Sequence, residues 1–362
     1  MIPAQQAIQR PHDARLLVVQ ADGRLSHRPR AHWVDLLQAG DLLVANDAAT
    51  LPASLHGVHG PSGRPIELRL AGRASLAADD VQHFTAVLLG EGDHRTPTEH
   101  RPAPPAVQPG DRLRLGDADA PLHATVQALL GHPRLLAVQL HGDAPTIWAA
   151  LARHGRPVQY AHLHEPLALW DVWTPIAANP AAFEPPSAGF VLDWASLRRL
   201  QQRGVGFATL THAAGLSSTG DSTLDARLPL DEPYRIPQRT ALLLARTRAA
   251  GGRIVAVGTT VTRALEHAGR HDGRVRAGDG VADQRLGPRS VPRVVDVLLS
   301  GTHEPGTSHH QLLQAFVSPA LLARVDAALE REGYRTHEFG DSVWVECQRC
   351  AAHGHRPRLQ AA

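Results

Sequence analysis

Residues 251–266 read GGRIVAVGTTVTRALE, and they carry the clearest indication of the fold class. Ile254 to Val257 are four consecutive apolar residues, a run typical of a strand that is buried on both faces. A glycine and two threonines follow, and apolar side chains then recur at helical spacing to about residue 267. Because a buried strand that turns directly into a helix is a repeating unit of α/β proteins, we expect a sheet covered by helices.

The turn after this strand has the composition of a ligand-binding turn. Gly258, Thr259 and Thr260 stand where backbone N–H groups at the start of a helix have no partner within the helix. Such a turn can bind a carboxylate, a phosphate or a ribose edge. A threonine at this place can instead simply cap its own helix, and the spacing alone is compatible with both interpretations.

Both flanks of this segment continue the α/β pattern. Residues 40–47, GDLLVAND, predict a buried strand that ends in Asn46 and Asp47, and polar residues at such an end often lie in a site. Residues 205–210 predict another strand, which ends shortly before His212. Further strands are expected at 14–19, after the Asp22-Gly23 turn and at 342–346, and helices at 31–39, 197–203, 237–250 and 311–331.

The pattern changes between residues 51 and 140. Short apolar runs alternate there with turns rich in glycine, proline and aspartate, which predicts an all-β module, either a small barrel or a sandwich. The runs are 66–70, 85–89, 112–115, 124–130 and 135–140. We therefore expect a discontinuous α/β domain at 1–57 and 150–346, a β-barrel-like insertion at 58–149 and a C-terminal tail at 347–362.

Composition excludes several classes of protein. The 37 basic residues are all arginine, and without lysine the chain has neither a Schiff-base lysine nor a Walker A phosphate-binding loop. A net charge of +2 is too small for binding nucleic acid by overall charge alone. Charged residues interrupt the first 30 positions, and no run of about 18–20 predominantly apolar residues exists. We therefore expect a cytoplasmic protein with neither a secretory signal nor a membrane span.

Two further segments contain candidate site residues. Residues 185–190, PPSAGF, predict a rigid turn in which small residues such as Ser187 and Gly189 let the backbone approach a ligand, although a plain loop has the same composition. His212 follows a strand and precedes a glycine-containing loop. It is either a base or proton donor, or a hydrogen-bonded structural residue.

One question about metal stays open in the sequence. Four soft ligands lie within nine residues near the C-terminus, and they either bind zinc or belong to a tail without metal. These ligands are Cys347, Cys350, His353 and His355. Elsewhere, His303, His309 and His310 lack the accompanying acidic residues of a known metal motif, so we expect no metal at the main site.

Taken in order, these segments resemble the S-adenosylmethionine:tRNA ribosyltransferase-isomerase family of the queuosine pathway. The resemblance extends from about residue 14 to residue 346. Its segments are 40–47, 51–57, 66–67, 186–189, 211–212, 252–266, 294–298, 303–305 and 339–341. Agreement of many short motifs in the same order is far more specific than any one of them.

The resemblance implies both an architecture and a reaction. The architecture is an α/β domain with an inserted all-β barrel. The reaction takes the ribosyl group of the co-substrate S-adenosylmethionine, isomerises it to an epoxycyclopentanediol unit and attaches it to a 7-deazaguanine base in a tRNA anticodon. Adenine and methionine are released. We expect the tRNA anticodon region as partner, no metal requirement and a monomeric protein.

The resemblance also implies catalytic roles. The sulfonium acidifies the C5′ hydrogens of S-adenosylmethionine, and His212 is the candidate base that removes one of them. Adenine leaves more easily when its ring is protonated, and Asp47 or Glu67 would supply that proton if burial raises its pKa.

The expected binding residues surround the helix start described above. The methionine carboxylate suits Thr259 and Thr260, with Arg263 one turn later as a fixed positive charge. The full expected set is Asn46, Ser187, Gly189, Thr211, Gly258, Thr259, Thr260, Arg263 and His303.

Some segments depart from the family pattern where ligand contacts are expected. The family's Leu-His-Val-Gly corresponds to residues 211–215, THAAG, and the histidine of its Gly-Leu-His-Phe run is absent from residues 189–192, GFVL. Two alternatives follow: a divergent paralogue that uses S-adenosylmethionine with a small-molecule acceptor, and a catalytically silent member that binds a nucleoside or RNA. A clustered arginine face, for example Arg198, Arg199 and Arg203, would favour tRNA as the acceptor.

Overall fold

The computed structural model describes residues 1–348 of the 362-residue chain. This part contains 19 strands and eight α-helices, together with short 3-10 helices at Arg30–Leu36, Thr98–His100 and Ser187–Val191. The strands are β1 (Ile2–Pro3), β2 (Arg15–Val19), β3 (Leu25–Pro29), β4 (Leu42–Asn46), β5 (Ala48–Thr50), β6 (Ser54–His59), β7 (Pro65–Gly72), β8 (His83–Leu89), β9 (Arg112–Leu115), β10 (Leu122–Leu129), β11 (Leu135–Leu140), β12 (Asn179–Ala182), β13 (Gly206–His212), β14 (Glu232–Ile236), β15 (Ile254–Val257), β16 (Gly278–Ala282), β17 (Val297–Gly301), β18 (Arg335–Thr336) and β19 (Ser342–Glu346). The helices are α1 (Ala144–His154), α2 (Leu169–Val172), α3 (Trp194–Gln202), α4 (Ser222–Asp225), α5 (Gln238–Ala249), α6 (Thr259–Ala268), α7 (Ser308–Leu313) and α8 (Pro319–Arg331).

A nine-stranded mixed sheet forms the larger layer, in the order β16-β14-β13-β4-β15-β17-β19-β2-β3. Its centre is parallel: β13 and β15 each pair with β4 in parallel, and β17 pairs with β15 in parallel. Leu42 therefore lies opposite Gly206 on one side and Ile254 on the other. This arrangement brings the carboxyl ends of four strands to one edge, which is where α/β sheets bind their ligands.

Helices cover both faces of this sheet. On one face, apolar side chains of α5, α6 and α8 form a core with Leu42, Val44 and Ala256. On the other face, Trp33 and Leu200 pack on Leu43 and Val255. Alternate residues of β4 and β15 thus face opposite cores, which explains the continuous apolar runs in the sequence. The expected α/β fold is confirmed.

The second layer is a closed six-stranded barrel in the order β10-β11-β8-β7-β6-β9. Its core is separate from those of the sheet, and it joins leucines of these strands, such as Leu68 and Leu113, to apolar side chains from outside the barrel, such as Phe183 and Leu224. The expected all-β insertion is therefore present as a barrel, and the sandwich alternative is wrong. The barrel begins at Ser54, ahead of the expected boundary at residue 58, and β6 was not among the predicted runs. The division into domains at the stated boundaries stays a prediction.

Two predicted helices differ from the observed ones. The segment predicted as a helix at 31–39 is a 3-10 helix, Arg30–Leu36, followed by extended backbone at Leu37. The pattern at 311–331 is interrupted, so that α7 and α8 are separate helices. The reason is local, because the side chain of Ser318 caps α8 and Pro319 occupies its first turn.

None of the helices in residues 1–348 has the length and apolar character needed to cross a membrane. The longest, α8, has 13 residues and is therefore roughly 20 Å long at 1.5 Å per residue. A hydrocarbon core is about 30 Å thick.

Candidate active site

A cleft of about 920 Å³, counted with its open mouth, lies at the carboxyl ends of the central strands. Six parts of the chain form its wall: residues 184–188, residues 214–217, residues between 228 and 232, the start of α6, residues 285–286 and residues between 300 and 312. Of the sequence-predicted site residues, the cleft wall contains Ser187, Gly258, Thr259, Thr260, Arg263 and His303.

The start of α6 lies on the cleft wall as predicted from its composition. Gly258 is the N-cap residue with φ of 95°, a backbone conformation that glycine adopts readily, and α6 has no side-chain cap. The alternative, in which Thr259 or Thr260 caps the helix with its side chain, is therefore wrong. The first N–H groups of α6 and two threonines of its first turn border the cleft, which favours an anionic group there.

Asn46 lies behind this wall and does not contribute to it. Its side chain joins β4 to the end of β13, because Oδ1 accepts the N–H of His212 at 3.0 Å and Nδ2 donates to the His212 carbonyl at 3.0 Å. Nδ2 is also 3.5 Å from the hydroxyl oxygen of Thr260. Asn46 is buried, so it supports the position of Thr260 without contacting the cleft.

Arg263 is held by the protein rather than free for a ligand. Its guanidinium forms an ion pair with Glu232 and donates to the carbonyls of Leu230, Ala282 and Gln284. Burial raises the pKa of Glu232, an effect that Arg263 opposes. The Arg263–Glu232 pair therefore contributes a fixed, largely neutralised polar group at the base of the cleft.

His212 has no surface on the cleft. It is fully buried, and its Nε2 lies 3.4 Å from Oε2 of Glu232 without forming a hydrogen bond. Burial, together with the neighbouring Arg263, lowers the pKa of His212 to about 3. An imidazole with that pKa is a poor proton acceptor near neutral pH, which argues against the expected role as the C5′ base.

Asp47 and Thr211 form a separate polar group. Oδ1 of Asp47 accepts the Thr211 hydroxyl at 2.6 Å and the Asn179 amide at 3.2 Å. Thr211 and Asn179 border another cavity and not the cleft described above. The two strand-end residues 46 and 47 therefore face different surroundings.

Glu67 lies in the barrel wall, and the expectation of a raised pKa there is wrong. Although its burial acts to raise the pKa, the guanidinium groups of Arg69 and Arg101 lower the pKa of Glu67 to about 2. Arg69 donates to Oε1 at 2.6 Å, Ser54 donates to the same oxygen at 2.7 Å, and Arg101 pairs with Oε2. A carboxylate held in its ionised form by two guanidinium groups is a poor proton donor, which argues against the expected role of Glu67 toward adenine.

The predicted turn at Ser187 and Gly189 is a 3-10 helix whose two small residues have different roles. Ser187 lies on the cleft wall. Gly189 is buried, and a Cβ added there would come within 2.9 Å of Cγ2 of Thr174. Gly189 thus allows close packing behind the wall.

Glu184 is the functional candidate that the sequence analysis missed. It lies on the cleft wall, and its Oε1 accepts the hydroxyl of Tyr160 and the N–H of Ser217 at 3.0 Å. No hydrogen bond from residues 1–348 reaches its Oε2. Burial raises the pKa of Glu184 to about 7, although the bonds from Tyr160 and Ser217 oppose the increase. A carboxyl group with this pKa can both accept and donate a proton at neutral pH.

A pair of stacked histidines completes the wall. The rings of His303 and His309 are 4.5 Å apart at an angle of 14°. Burial, together with His309, lowers the pKa of His303 well below its ordinary value, and burial also lowers the pKa of His309. Both rings are therefore neutral near pH 7 and lie close to the apolar wall residues Leu286 and Leu312.

The cleft thus combines three chemical environments. The α6 start attracts an anionic group, Glu184 attracts a cationic centre or exchanges a proton, and the neutral imidazoles with apolar neighbours suit a flat ring. The arrangement fits a small molecule that carries a carboxylate, a positive centre and an aromatic base.

Two of the three arginines expected to form a basic face on α3 are bonded to other groups of the protein. Arg199 pairs with Asp35 at 2.9 Å, and Arg203 donates to the carbonyl of Leu37 at 2.9 Å. Arg198 is exposed on the same helix, α3, and Trp194 at the start of this helix is 77% exposed.

Comparison with known proteins gives consistent results along the chain. A family model described as queuosine biosynthesis protein matches residues 1–345. The chain is 33% identical over 346 residues to the S-adenosylmethionine:tRNA ribosyltransferase-isomerase of Thiobacillus denitrificans, a match that covers 92% of this chain and 90% of that relative. It is 31% identical over 350 residues to the enzyme of the same name from Gloeobacter violaceus, with 94% and 92% covered. A crystal structure of S-adenosylmethionine tRNA ribosyltransferase from Thermotoga maritima covers 95% of this chain and 96% of its own, at 22% identity and a TM-score of 0.49.

Proposed function

Because the chain belongs to the family of queuosine biosynthesis proteins, we propose that it transfers and isomerises the ribosyl group of S-adenosylmethionine onto a 7-deazaguanine base in tRNA. The observation that carries the proposal is family membership over nearly the whole chain. The cleft at the carboxyl ends of the central strands supports it, because its chemistry suits the parts of S-adenosylmethionine.

Each part of the co-substrate has a counterpart on the cleft wall. The methionine carboxylate lies at the start of α6, where the N–H groups and the hydroxyls of Thr259 and Thr260 are donors. The sulfonium lies toward the Glu184 carboxylate, which balances its positive charge. Adenine lies against His303 and His309, whose neutral rings offer a stacking surface.

Glu184 is the proton-transfer group in this proposal. Its ionised form accepts a C5′ proton made acidic by the adjacent sulfonium, which leaves the electron pair of the broken C–H bond on that carbon. The resulting carboxylic acid then donates the proton to the departing adenine. A pKa of about 7 keeps both forms populated at neutral pH. Asn46 and the Arg263–Glu232 pair hold the wall in place, and no step of the proposal requires a metal ion.

The tRNA partner is placed on the exposed side of α3. Arg198 contributes charge for phosphate contacts, and Trp194 offers an aromatic face on which an unpaired anticodon base can stack. The anticodon as the region bound, the monomeric state and the cytoplasmic location stay predictions.

The experiment that tests the function is incubation of the protein with S-adenosylmethionine and tRNA carrying the unmodified 7-deazaguanine precursor, with free adenine measured by chromatography. The proposal predicts adenine that appears only when this tRNA is present, together with a mass increase of the tRNA. Adenine released without tRNA would instead identify a small-molecule acceptor or hydrolysis. Absence of adenine under all conditions would contradict the enzymatic assignment.

A further inference from the structure

We propose that His162, His337 and Glu338 form a binding site for a divalent transition-metal ion, of which Zn²⁺ is the best match, beside the substrate cleft. In residues 1–348 this is the one group in which three histidine, cysteine or carboxylate side chains bring ligand atoms within 4.8 Å of one another. Two imidazoles and one carboxylate are a common ligand set for zinc and related metals, with water in the remaining position.

The distances are compatible with coordination once one of the two imidazole rings turns. Nε2 of His162 lies 3.0 Å from Oε2 of Glu338, and the His162 and His337 rings are 4.1 Å apart at 13°. Ligand atoms around a tetrahedral zinc ion are roughly 3.4 Å from one another, given bonds of about 2.1 Å. Because the lone pairs of stacked rings do not converge, one ring must turn about its χ2 bond for both to coordinate.

The backbone fixes two of the ligands side by side. Adjacent residues in a strand point to opposite faces, yet His337 and Glu338 both approach His162. His337 has φ of 69°, and within residues 1–348 it is the single non-glycine residue with a positive φ. That conformation is unfavourable for a side-chain-bearing residue and is often found at functional sites.

The surrounding turn is rigid. The buried carboxylate of Asp341 accepts the backbone N–H groups of Arg15 at 2.8 Å and Arg335 at 2.9 Å, and the N–H of Gly340 donates to the His337 carbonyl at 3.0 Å. These bonds hold the backbone of residues 335–341 in place, so only a side-chain rotation is needed to bring the ligands together. Such positioning of ligands favours affinity and selectivity.

A further carboxylate and a route from solvent lie beside the group. Oε1 of Glu304 lies 3.6 Å from Nε2 of His337. The side chain of His337 is 32% exposed, whereas those of His162 and Glu338 are 11% and 18% exposed. The group is thus half-buried, which shields the ion on one side and leaves access on the other.

The site adjoins the cleft through an aromatic contact. The ring of Tyr160 stacks on His162 with centroids 6.3 Å apart at 14°, and its hydroxyl donates to Glu184 on the cleft wall. A bound ion would fix the position of the loop around residue 162 relative to the turn at residue 337. It would therefore hold the outer side of the cleft wall without entering the cleft.

The test is zinc binding by the full-length chain, measured by isothermal titration calorimetry and by metal analysis after dialysis. The tail ligands Cys350, His353 and His355 lie outside the described residues, so all proteins carry C350S, H353Q and H355Q. We expect one Zn²⁺ per chain and a rise in Tm of several degrees on saturation. A parent protein that binds no zinc at micromolar concentrations would overturn the proposal.

Three substitutions assign the binding to this group. H162Q and H337G should each weaken zinc binding by at least about tenfold. Loss of a residue that only hydrogen-bonds to a metal ligand already costs about 10–100-fold in affinity, and loss of a ligand should cost no less. Glycine adopts the positive φ of residue 337 without strain, so the Tm of H337G without metal should not fall. A loss of zinc affinity in this variant would then reflect loss of the ligand and not misfolding. H310Q is the matched control, because His310 pairs with Asp326 at 3.0 Å in a two-ligand group. Unchanged zinc affinity in H337G, or an equal loss in H310Q, would contradict the assignment.

Discussion

The hydroxyl of Tyr160 donates a hydrogen bond to Oε1 of Glu184, and this carboxyl group forms part of the wall of the cleft at the carboxyl ends of the central strands. Burial raises the pKa of Glu184 to about 7, while the bond from Tyr160 opposes that rise by stabilising the ionised form. The pKa of Glu184 therefore depends on the balance between its burial and the bond from a residue 24 positions earlier in the chain.

Substitution of Glu184 by glutamine should reduce kcat for adenine release by about 100-fold or more, as expected for loss of a general base. The wild-type rate should rise with pH up to about 7, where the carboxyl group becomes ionised, and this rise should be absent in E184Q. Y160F removes a bond that lowers the pKa, so its pH–rate profile should shift to higher pH. A pH–rate profile of E184Q that matches wild type would exclude Glu184 as the base.

Removal of the Thr259 hydroxyl should weaken binding of S-adenosylmethionine. T259V removes one donor from the helix start and should raise KM about tenfold with little change in kcat. T262V is the matched control, because the Thr262 hydroxyl donates to the Gly258 carbonyl at 3.1 Å within the helix. Equal KM values for T259V and wild type would place the methionine carboxylate elsewhere.

Replacement of His212 by leucine distinguishes a structural residue from a catalytic base. Because neither ring nitrogen of His212 makes a hydrogen bond, H212L loses no buried partner, and we expect a change in unfolding free energy within about 1.5 kcal/mol. Adenine release should stay within about tenfold of wild type, whereas loss of a general base costs about 10²–10⁴-fold. A larger decrease in kcat in folded H212L would restore the catalytic role.

Replacement of Glu67 by glutamine should affect stability and not catalysis. The substitution leaves Arg69 and Arg101 without their shared carboxylate and should cost about 3–5 kcal/mol of unfolding free energy at pH 7. The folded pKa of Glu67 is about 2, below its ordinary value, so its ionisation stabilises the fold above pH about 4.5 and this contribution is lost as the pH falls toward 2. The difference between E67Q and wild type in urea unfolding should therefore shrink with acid. A constant difference across that range would show that the ion pairs do not stabilise the barrel.

The exposed side of α3 should contribute to tRNA affinity. R198E should weaken tRNA binding. Because one or more phosphate contacts are lost, the slope of log Kd against log salt concentration should decrease by about one or more. KM for S-adenosylmethionine measured at saturating tRNA should not change. R95E is a suitable control, because Arg95 is an exposed arginine of the barrel loops paired with Asp93. Identical salt slopes for R198E and wild type would move the tRNA interface to another surface.

The local pattern predicted most of the α/β domain correctly. Strands such as β4 and β15 are apolar on both faces, and the helix start at Gly258 follows from glycine and threonine in sequence, so neighbouring residues contain the information. The position of this helix start in a cleft was inferred from the same segment. The break between α7 and α8 was also visible in Ser318 and Pro319 but was outweighed by the helical pattern on either side.

Candidates for proton transfer could not be ranked in the same way, because the pKa of a side chain depends on partners distant in the chain. His212 looked like a base at a strand end, but its complete burial beside Arg263 arises only from the packed sheet. Glu184 depends on Tyr160 and Ser217, which no spacing rule connects to it. For Glu67 one signal was present, because Arg69 is two residues further along the same strand and therefore on the same face.

The most direct test of the central claim is a crystal structure with S-adenosylmethionine bound. We predict the methionine carboxylate within hydrogen-bonding distance of the backbone N–H groups and hydroxyls of Thr259 and Thr260, and the sulfonium on the side of Glu184. Electron density for the ligand in the cavity beside Asn179 and Thr211, with the cleft at α6 filled only by solvent, would contradict the account.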